Sequence, residues 1–462
     1  MSLVKLVGPV PAEELGRVHF VGIGGAGMSG IARILLKRGV FVSGSDARES
    51  AVLAELRSLG AVTHVGHAAS HVGDADTVVV STAIRDSNPE LGEALRRGLR
   101  VLPRAAALAS VMAGRRGVAI AGTHGKTTTT SMLTVALQKC GADPSYVVGG
   151  QLVTTGLGAD EGAGDVFVAE ADESDGSFLM LAPEAAVVTN VEADHLDNYG
   201  DVSAVVASFE RFVERVGSLL VVCADDPGSA ALADVGRARG LTVRTYGESP
   251  GADYRVTGVA PRGFGVSAAI EGLGDFSLTV PGRHNAVNAT AVVAVAVELG
   301  FPFEGIRDGL AAFTGAKRRF EAKGSAAGVS VYDSYAHHPT ELSADLRAAR
   351  DVVGDAGRVV AVFQPHLYSR TRFFAEEFGA ALGLADEAVV LDVYGAREDP
   401  EPGVSGALVA EKVPHDRVTY VPDRARVPET VAGLAREGDI VLTMGAGDVT
   451  DLGPLIVEAL AR

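Results

Sequence analysis

Only two cysteines, Cys140 and Cys223, occur in the 462 residues. That excludes a disulfide framework and a thiolate zinc site, and leaves both as small buried hydrophobes in a reducing compartment. Basic charge is also in deficit: 41 Lys and Arg stand against 58 Asp and Glu, a formal net charge of -17. A chain so acidic repels nucleic-acid backbones, so no nucleic-acid partner is expected and any polyanionic ligand must be small. Long apolar runs are missing as well. The longest, around "ATAVVAVAVELGF", falls short of the ~20 residues that cross a bilayer, and the opening "MSLVKLVGPVPAEELG" has no sustained apolar leader. A cytoplasmic protein with no membrane partner is expected. No repeat of about 20 to 50 residues is visible, which excludes a solenoid.

Glycine, by contrast, is abundant, and 47% of the residues are hydrophobic, a composition suited to α/β layers with tight strand-to-helix turns. Three units follow one another. The first opens with "VHFVGIGGAGMSGIARILLKRG", an apolar strand, a glycine turn and an amphipathic helix closed by Gly39, followed by strands "VFVSGSD" and "ADTVVVSTAI"; it ends near "MAGRRG". A second unit starts with "GVAIAG" and alternates helices with strands "DVFVAE", "AAVVTNVE" and "SLLVVCADD". It continues through a strand-like Gly-rich stretch from Tyr254 to Val280 and a helix after "GRHNAVNA", and runs out near "FTGAKRRFE". The third carries "GVSVYDS", "RVVAVFQP", "EAVVLDVY" and "DIVLTMGAG" as parallel strands between helices.

"GIGGAG" places Gly22, Gly24, Gly25 and Gly27 after a strand and before a helix, with Asp46 about twenty residues on, the pattern of a dinucleotide fingerprint. Its physics is a pyrophosphate at a helix N-terminus, which a nucleotide sugar satisfies as well as a nicotinamide dinucleotide. "AIAGTHGKTTTT" is a phosphate loop with Ile120 where its first glycine belongs. Gly122 and Gly125 turn backbone N–H groups toward phosphate, Lys126 supplies a mobile charge and Thr127 a hydroxyl for magnesium, with Thr123, His124 and Thr128 in the same cradle. Glu170 ends a buried strand where a carboxylate could hold the metal, while Asp172, Glu173 and Asp175 read as a solvated loop. His195 follows another strand near that edge. His284, Asn285 and Asn288 suit a purine edge, although helix capping accounts for one Asn. Asp333, Tyr335, His337, His366 and Arg370 follow strands of the third unit at one presumed edge. His64, His67 and His71 have metal-like spacing but no supporting acid, and read as a loop.

Taken in order, "GTHGKTTTT", "EADESDGSF", "NVEADHLD", "GRHNAVNA", "RRFE", "DSYAHHPTE" and "FQPHLYSRTR" resemble the Mur ligases over essentially the whole chain. The resemblance implies an α/β protein of three domains: a Rossmann-like UDP-sugar domain over residues 1–112, a central P-loop ATPase domain with a mostly parallel sheet over 113–318, and a Rossmann-like amino-acid domain over 319–462. It implies ATP and magnesium, the substrates UDP-N-acetylmuramate and L-alanine, and a monomer or homodimer. It also implies residue roles: Lys126 and Thr127 on phosphate and metal, Glu170 and His195 as further magnesium ligands, and His284 with Asn285 on adenine. Arg319 would meet the terminal phosphate and Asp333 the ribose, with Tyr335, His337 and Arg370 near the reacting amine and carboxylate. The chain departs from its relatives at Leu367, where many carry Arg, and in having no Lys after "NVEADHLDNYG", so no carbamylated lysine is expected.

Overall fold

The computed structural model describes residues 6–396 and 398–462; residues 1–5, the start of the stretch read as leaderless, lie outside the described residues. The architecture is α/β, and the chain packs as two compact units. One comprises the chain up to Val256 together with Asn288–Leu310, the other Thr257–Val287 with Ala311–Arg462.

In the first unit, β1 (Val18–Val21), β2 (Val42–Asp46), β3 (Val62–Val65), β4 (Thr77–Val80) and β5 (Arg100–Pro103) form a parallel sheet in the order β3-β2-β1-β4-β5. The order reverses at β1, the switch point outside which open α/β sheets bind ligands. All four residues of β1 are buried, as a central parallel strand covered on both faces requires. The helix Ala26–Lys37 follows, with Gly25 at its N-cap and no side-chain cap. It packs so closely on the next layer that a Cβ at Gly30 would stand 2.7 Å from the Ala159 methyl.

The same unit holds β6 (Arg116–Ala121), β7 (Ser145–Val147), β8 (Ala159–Asp160), β9 (Val166–Glu170), β10 (Ala185–Val188), β11 (Leu219–Cys223) and β12 (Thr242–Gly247). Their order is β12-β11-β10-β6-β9-β7-β8, parallel except for the edge pair of β7 and β8. β13 (Tyr254–Arg262) begins beside β12. Glu161, just past β8, accepts from Arg38 at 2.9 and 3.0 Å and from Arg115 at 2.8 Å, which ties the helix of the first sheet to the second.

In the second unit β14 (Gly265–Ile270) and β15 (Gly274–Leu278) form an antiparallel hairpin. The third sheet contains β16 (Glu321–Ala326), β17 (Val329–Ser334), β18 (Val359–Phe363), β19 (Glu387–Val390), β20 (Val418–Tyr420) and β21 (Ile440–Met444), in the order β16-β17-β21-β18-β19-β20. All its pairs are parallel but the edge pair of β16 and β17. Four strands absent from the sequence reading, β3, β5, β16 and β20, sit at sheet edges, where exposed residues break the apolar run. No helix among the described residues is long and apolar enough to cross a membrane.

A buried polar knot fixes the end of β2. The Glu90 carboxylate is fully buried and accepts from Ser45 Oγ at 2.5 Å and the Ala68 amide at 3.2 Å. His71 Nδ1 at 3.1 Å, His67 Nδ1 at 3.4 Å and His19 Nε2 at 3.6 Å surround it. Burial alone would raise its pKa, but His19, Ser45 and the Ala68 amide outweigh it and bring the value down to about 2. This corrects the view that His64, His67 and His71 form a loop without a supporting acid: His64 lies in β3, and Glu90 supplies the acid. A depressed carboxylate pKa stabilises the fold above its ordinary value near 4.5 and loses that contribution as pH falls through about 2. Accordingly Glu90→Gln should lower unfolding free energy at pH 7 by about 3 kcal/mol and flatten its decline below pH ~4.5; equal urea denaturation series for variant and parent across this range would contradict the assignment.

Candidate functional site

The short phosphate loop lies between β6 and the helix Lys126–Lys139. Gly122 sits at φ +129° and Gly125 at φ +82°, conformations that side chains resist. Space is short too: a Cβ on Gly122 would meet Thr189 Oγ1, and one on Gly125 would stand 2.9 Å from Asn288 Oδ1. What shapes the loop is the segment after β10. The Thr123 amide donates to Asn190 O at 3.0 Å, the His124 amide to Asn190 Oδ1 at 2.7 Å, and the Thr189 hydroxyl to His124 O at 2.6 Å. Thr123, His124, Thr127 and Thr128 are all buried.

Lys126 folds back over the loop. Its Nζ donates to Gly122 O at 2.6 Å, Thr123 O at 3.0 Å and Glu173 Oε1 at 3.0 Å. Burial pulls its pKa down, but Glu173, Asp172 and Glu170 together outweigh burial and hold the ammonium above its ordinary value. The Thr127 hydroxyl donates to Glu170 Oε1 at 3.2 Å, and the other carboxylate oxygen accepts from the Gly149 amide at 2.8 Å. The two oxygens thus converge at one helix start, a hard donor set of the kind magnesium takes. His195, at φ +54°, places Nε2 3.6 Å from Glu173 Oε1 and 3.7 Å from Asp194 Oδ2.

Glu173 is where the sequence reading needs correction. It is 2% exposed rather than solvated, and burial pushes its pKa up to about 7 against the pull of Lys126. Tyr199 donates to its carbonyl at 2.5 Å and Asn198 to that of Ser174 at 2.8 Å. Asp172, beside it, pairs with Arg104 at 3.4 Å. The available signal was the spacing Glu170-x-x-Glu173 after a buried strand; Thr189 and Asn190, which clamp the loop, carried none.

At the first sheet, Gly22 sits at φ +80° and donates to Ser45 O at 2.8 Å. The Gly24 amide donates to Asp46 Oδ2 at 2.9 Å, so one oxygen of the expected ribose acid braces the turn. A Cβ on Gly27 would stand 2.9 Å from Arg104 Nη1.

The second unit gathers the remaining residues. Asp333 is fully buried, accepting from Thr443 Oγ1 and Thr450 Oγ1 at 2.8 Å each and from Arg318 Nε at 3.2 Å. From the end of β17 it anchors Arg318 inside the unit. The Arg318 and Arg319 guanidinium carbons stand 4.8 and 5.2 Å from the Tyr335 ring centre. The Asn285 side chain donates to Pro281 O at 2.6 Å, a bond back to the chain before the helix Arg283–Glu298; Asn288 lies in the other unit, against Gly125. Burial brings the His284 pKa down to about 4. His338 and Glu341 form a capping box on the helix Pro339–Val353. His337, with Nδ1 3.0 Å from Tyr335 O, has its ring 5.3 Å from that of Tyr335 and 6.1 Å from that of His366. Arg370 is buried in the helix Tyr368–Phe373. Leu367, at its N-cap, is 4% exposed with φ +69°, a strained backbone position for a branched residue.

Comparison with known proteins supplies the family. Residues 17–116 match the Mur ligase family catalytic domain, 120–296 the Mur ligase middle domain and 318–447 the Mur ligase glutamate ligase domain. The UDP-N-acetylmuramate–L-alanine ligase of Thermobifida fusca (strain YX) is 64% identical, with 100% of both chains covered. That of Mycobacterium tuberculosis (strain ATCC 25177 / H37Ra) is 55% identical over 97% of this chain and 95% of its own. Among solved structures, a UDP-N-acetylmuramate-alanine ligase from Thermotoga maritima superposes with a TM-score of 0.80 at 30% identity, covering 96% of this chain and 99% of that one. The chain belongs to the Mur ligase family.

Proposed function

We propose that this chain joins L-alanine to the lactyl carboxylate of UDP-N-acetylmuramate at the expense of ATP, in the synthesis of peptidoglycan precursors. The observation that carries this reading is the 64% identity to the Thermobifida fusca ligase over the full length of both chains. Its chemistry agrees with the short phosphate loop, in which Lys126, Thr127 and Glu170 meet at one helix start.

In this reading the lactyl carboxylate attacks the terminal phosphate of ATP, ADP leaves, and the neutral amine of alanine opens the resulting acyl phosphate to give amide and phosphate. Little covalent work falls to the protein, so its residues act by charge and position. Gly122 to Gly125 turn amides toward the phosphates, and Lys126 neutralises charge on the transferring group, a role that the family resemblance also gives Arg319. Thr127 and Glu170 fit magnesium, with His195 as a third ligand; when bound, the ion supplies further charge neutralisation. The glycine turn at Gly22 to Gly27 takes the UDP diphosphate, His284, Asn285 and Asn288 the adenine side, and Tyr335, His337 and Arg370 the amino acid. The division into residues 1–112, 113–318 and 319–462, and a cytoplasmic location, belong to the same proposal.

Phosphate release from ATP with UDP-N-acetylmuramate should require free L-alanine. Release only with the tripeptide L-alanyl-glutamyl-diaminopimelate would make the chain a recycling ligase instead. Lys126→Ala should cut phosphate release by about 10²–10³-fold or more while leaving calorimetric binding of UDP-N-acetylmuramate largely intact; parallel loss of both would break the division of labour. For His337, assistance in deprotonating the amine predicts that His337→Ala slows turnover by about 10²–10⁴-fold and alters the pH–rate profile. An unaltered profile removes it from that role.

A further inference from the structure

The proposed reaction leaves one acid beside His337 unused. Glu341 is the third residue of the helix Pro339–Val353, and its Oε2 accepts from the His338 amide at 3.3 Å, which completes the capping box, and from the His337 amide at 2.9 Å. The same oxygen lies 3.2 Å from His337 Nδ1. A capping box accounts for the first of these contacts. It does not require the last, which brings the side chain of a residue outside the helix onto the carboxylate. The His337 and Glu341 side chains are only 16% and 14% exposed, so their attraction is screened less than that of a surface pair.

These contacts fix which nitrogen of His337 carries a proton. Nδ1 has two oxygen neighbours, Tyr335 O at 3.0 Å and Glu341 Oε2 at 3.2 Å. A carbonyl and a carboxylate can only accept. A lone pair on Nδ1 would face both of them, so Nδ1 bears the hydrogen, and in the neutral ring the lone pair lies on Nε2. The carbonyl itself is held in place, because the Tyr335 amide donates to Arg318 O at 2.7 Å and the Ala336 amide to Ser334 Oγ at 3.1 Å. When Nε2 takes up a proton, the ring becomes a cation beside the Glu341 carboxylate, whose charge favours it.

We propose that Glu341 is the positioning residue of a Glu–His pair: it holds His337 with Nε2 as the base toward the alanine amine and stabilises the imidazolium that results. The proton passes from the alanine ammonium to Nε2, and the freed electron pair forms the C–N bond. The C–O bond to phosphate then breaks, phosphate leaving with the bonding electrons and with the second proton of the nitrogen. The inference rests on the reading of the chain as an alanine ligase in which His337 meets the amine.

Other ionisable groups face the pair. The rings of Tyr335 and His366 stand 5.3 and 6.1 Å from that of His337, and Arg318 and Arg319 flank Tyr335. The charge of Glu341 also acts on His284 and on Asp345, one turn along its own helix. Burial pushes the Asp345 pKa up to about 6, within the range where an imidazole titrates.

Glu341→Gln isolates the charge, because Gln at the third helical position serves a capping box as Glu does. In phosphate release with UDP-N-acetylmuramate and L-alanine it should lower kcat by about 10- to 100-fold, the worth of a hydrogen bond to a charged group, with the KM for ATP and the melting temperature unchanged. The acid limb of its pH–rate profile should move to lower pH, since the imidazolium loses its anion. In a His337→Ala background Glu341→Gln should have no further effect. A parental rate and profile in Glu341→Gln would leave the carboxylate a capping group and overturn the proposal. So would an undiminished effect in the His337→Ala background, or an acid limb that survives in His337→Ala and therefore belongs to Asp345. A parent that releases no phosphate with L-alanine overturns the ligase reading itself, an outcome reached before any variant is compared.

Discussion

The hydrogen bond from the His124 amide to Asn190 Oδ1, 2.7 Å long, is the constraint on which the rest of the nucleotide site depends. With Ile120 in the place of the first glycine, the loop has too few flexible residues to hold its own shape. The neighbouring strand β10 supplies the missing support through Thr189 and Asn190, whose side chains take up His124 N and O. Once the loop is held, Lys126 has a fixed pair of carbonyls to lean on and Thr127 faces the end of β9. A parallel sheet makes this possible because adjacent strands end on the same edge and deliver their following residues to one place.

Buried carboxylates do the remaining positioning, and their surroundings separate their roles. Glu90, ringed by hydroxyl, amide and imidazole donors, is a permanent anion. Glu173 has Lys126 as its counter-ion yet is so deeply placed that burial prevails and its pKa lies near 7. Asp333 is spent on Thr443, Thr450 and Arg318, and so orders Arg318 beside Tyr335. A charge taken from water must be met by partners.

The Gly22 turn, the loop around Lys126 and the strand-end Glu170 were legible in the sequence because each is a local device: a fixed spacing of glycines, a lysine and an acid next to an apolar run. Glu173 was misjudged for the opposite reason. An acidic stretch after a strand is ordinarily solvated, and only Tyr199 and Asn198, more than twenty residues on, close over it. Asp333 read as a strand-end acid, but its partners Thr443 and Thr450 reach it across more than a hundred residues. The acid beside His67, Glu90, escaped the sequence reading because it lies on the helix Pro89–Arg97, more than twenty residues on.

Composition, periodicity and motif order by themselves determined the α/β class, the succession of parallel layers and the resemblance to the Mur ligases, since these follow from local pattern and from residues that act within one turn of chain. Tertiary structure alone decided which acids are buried, which carboxylate holds Lys126 and how Asn190 completes the shortened loop. Those properties depend on desolvation and on hydrogen bonds between strands that the linear order does not place side by side.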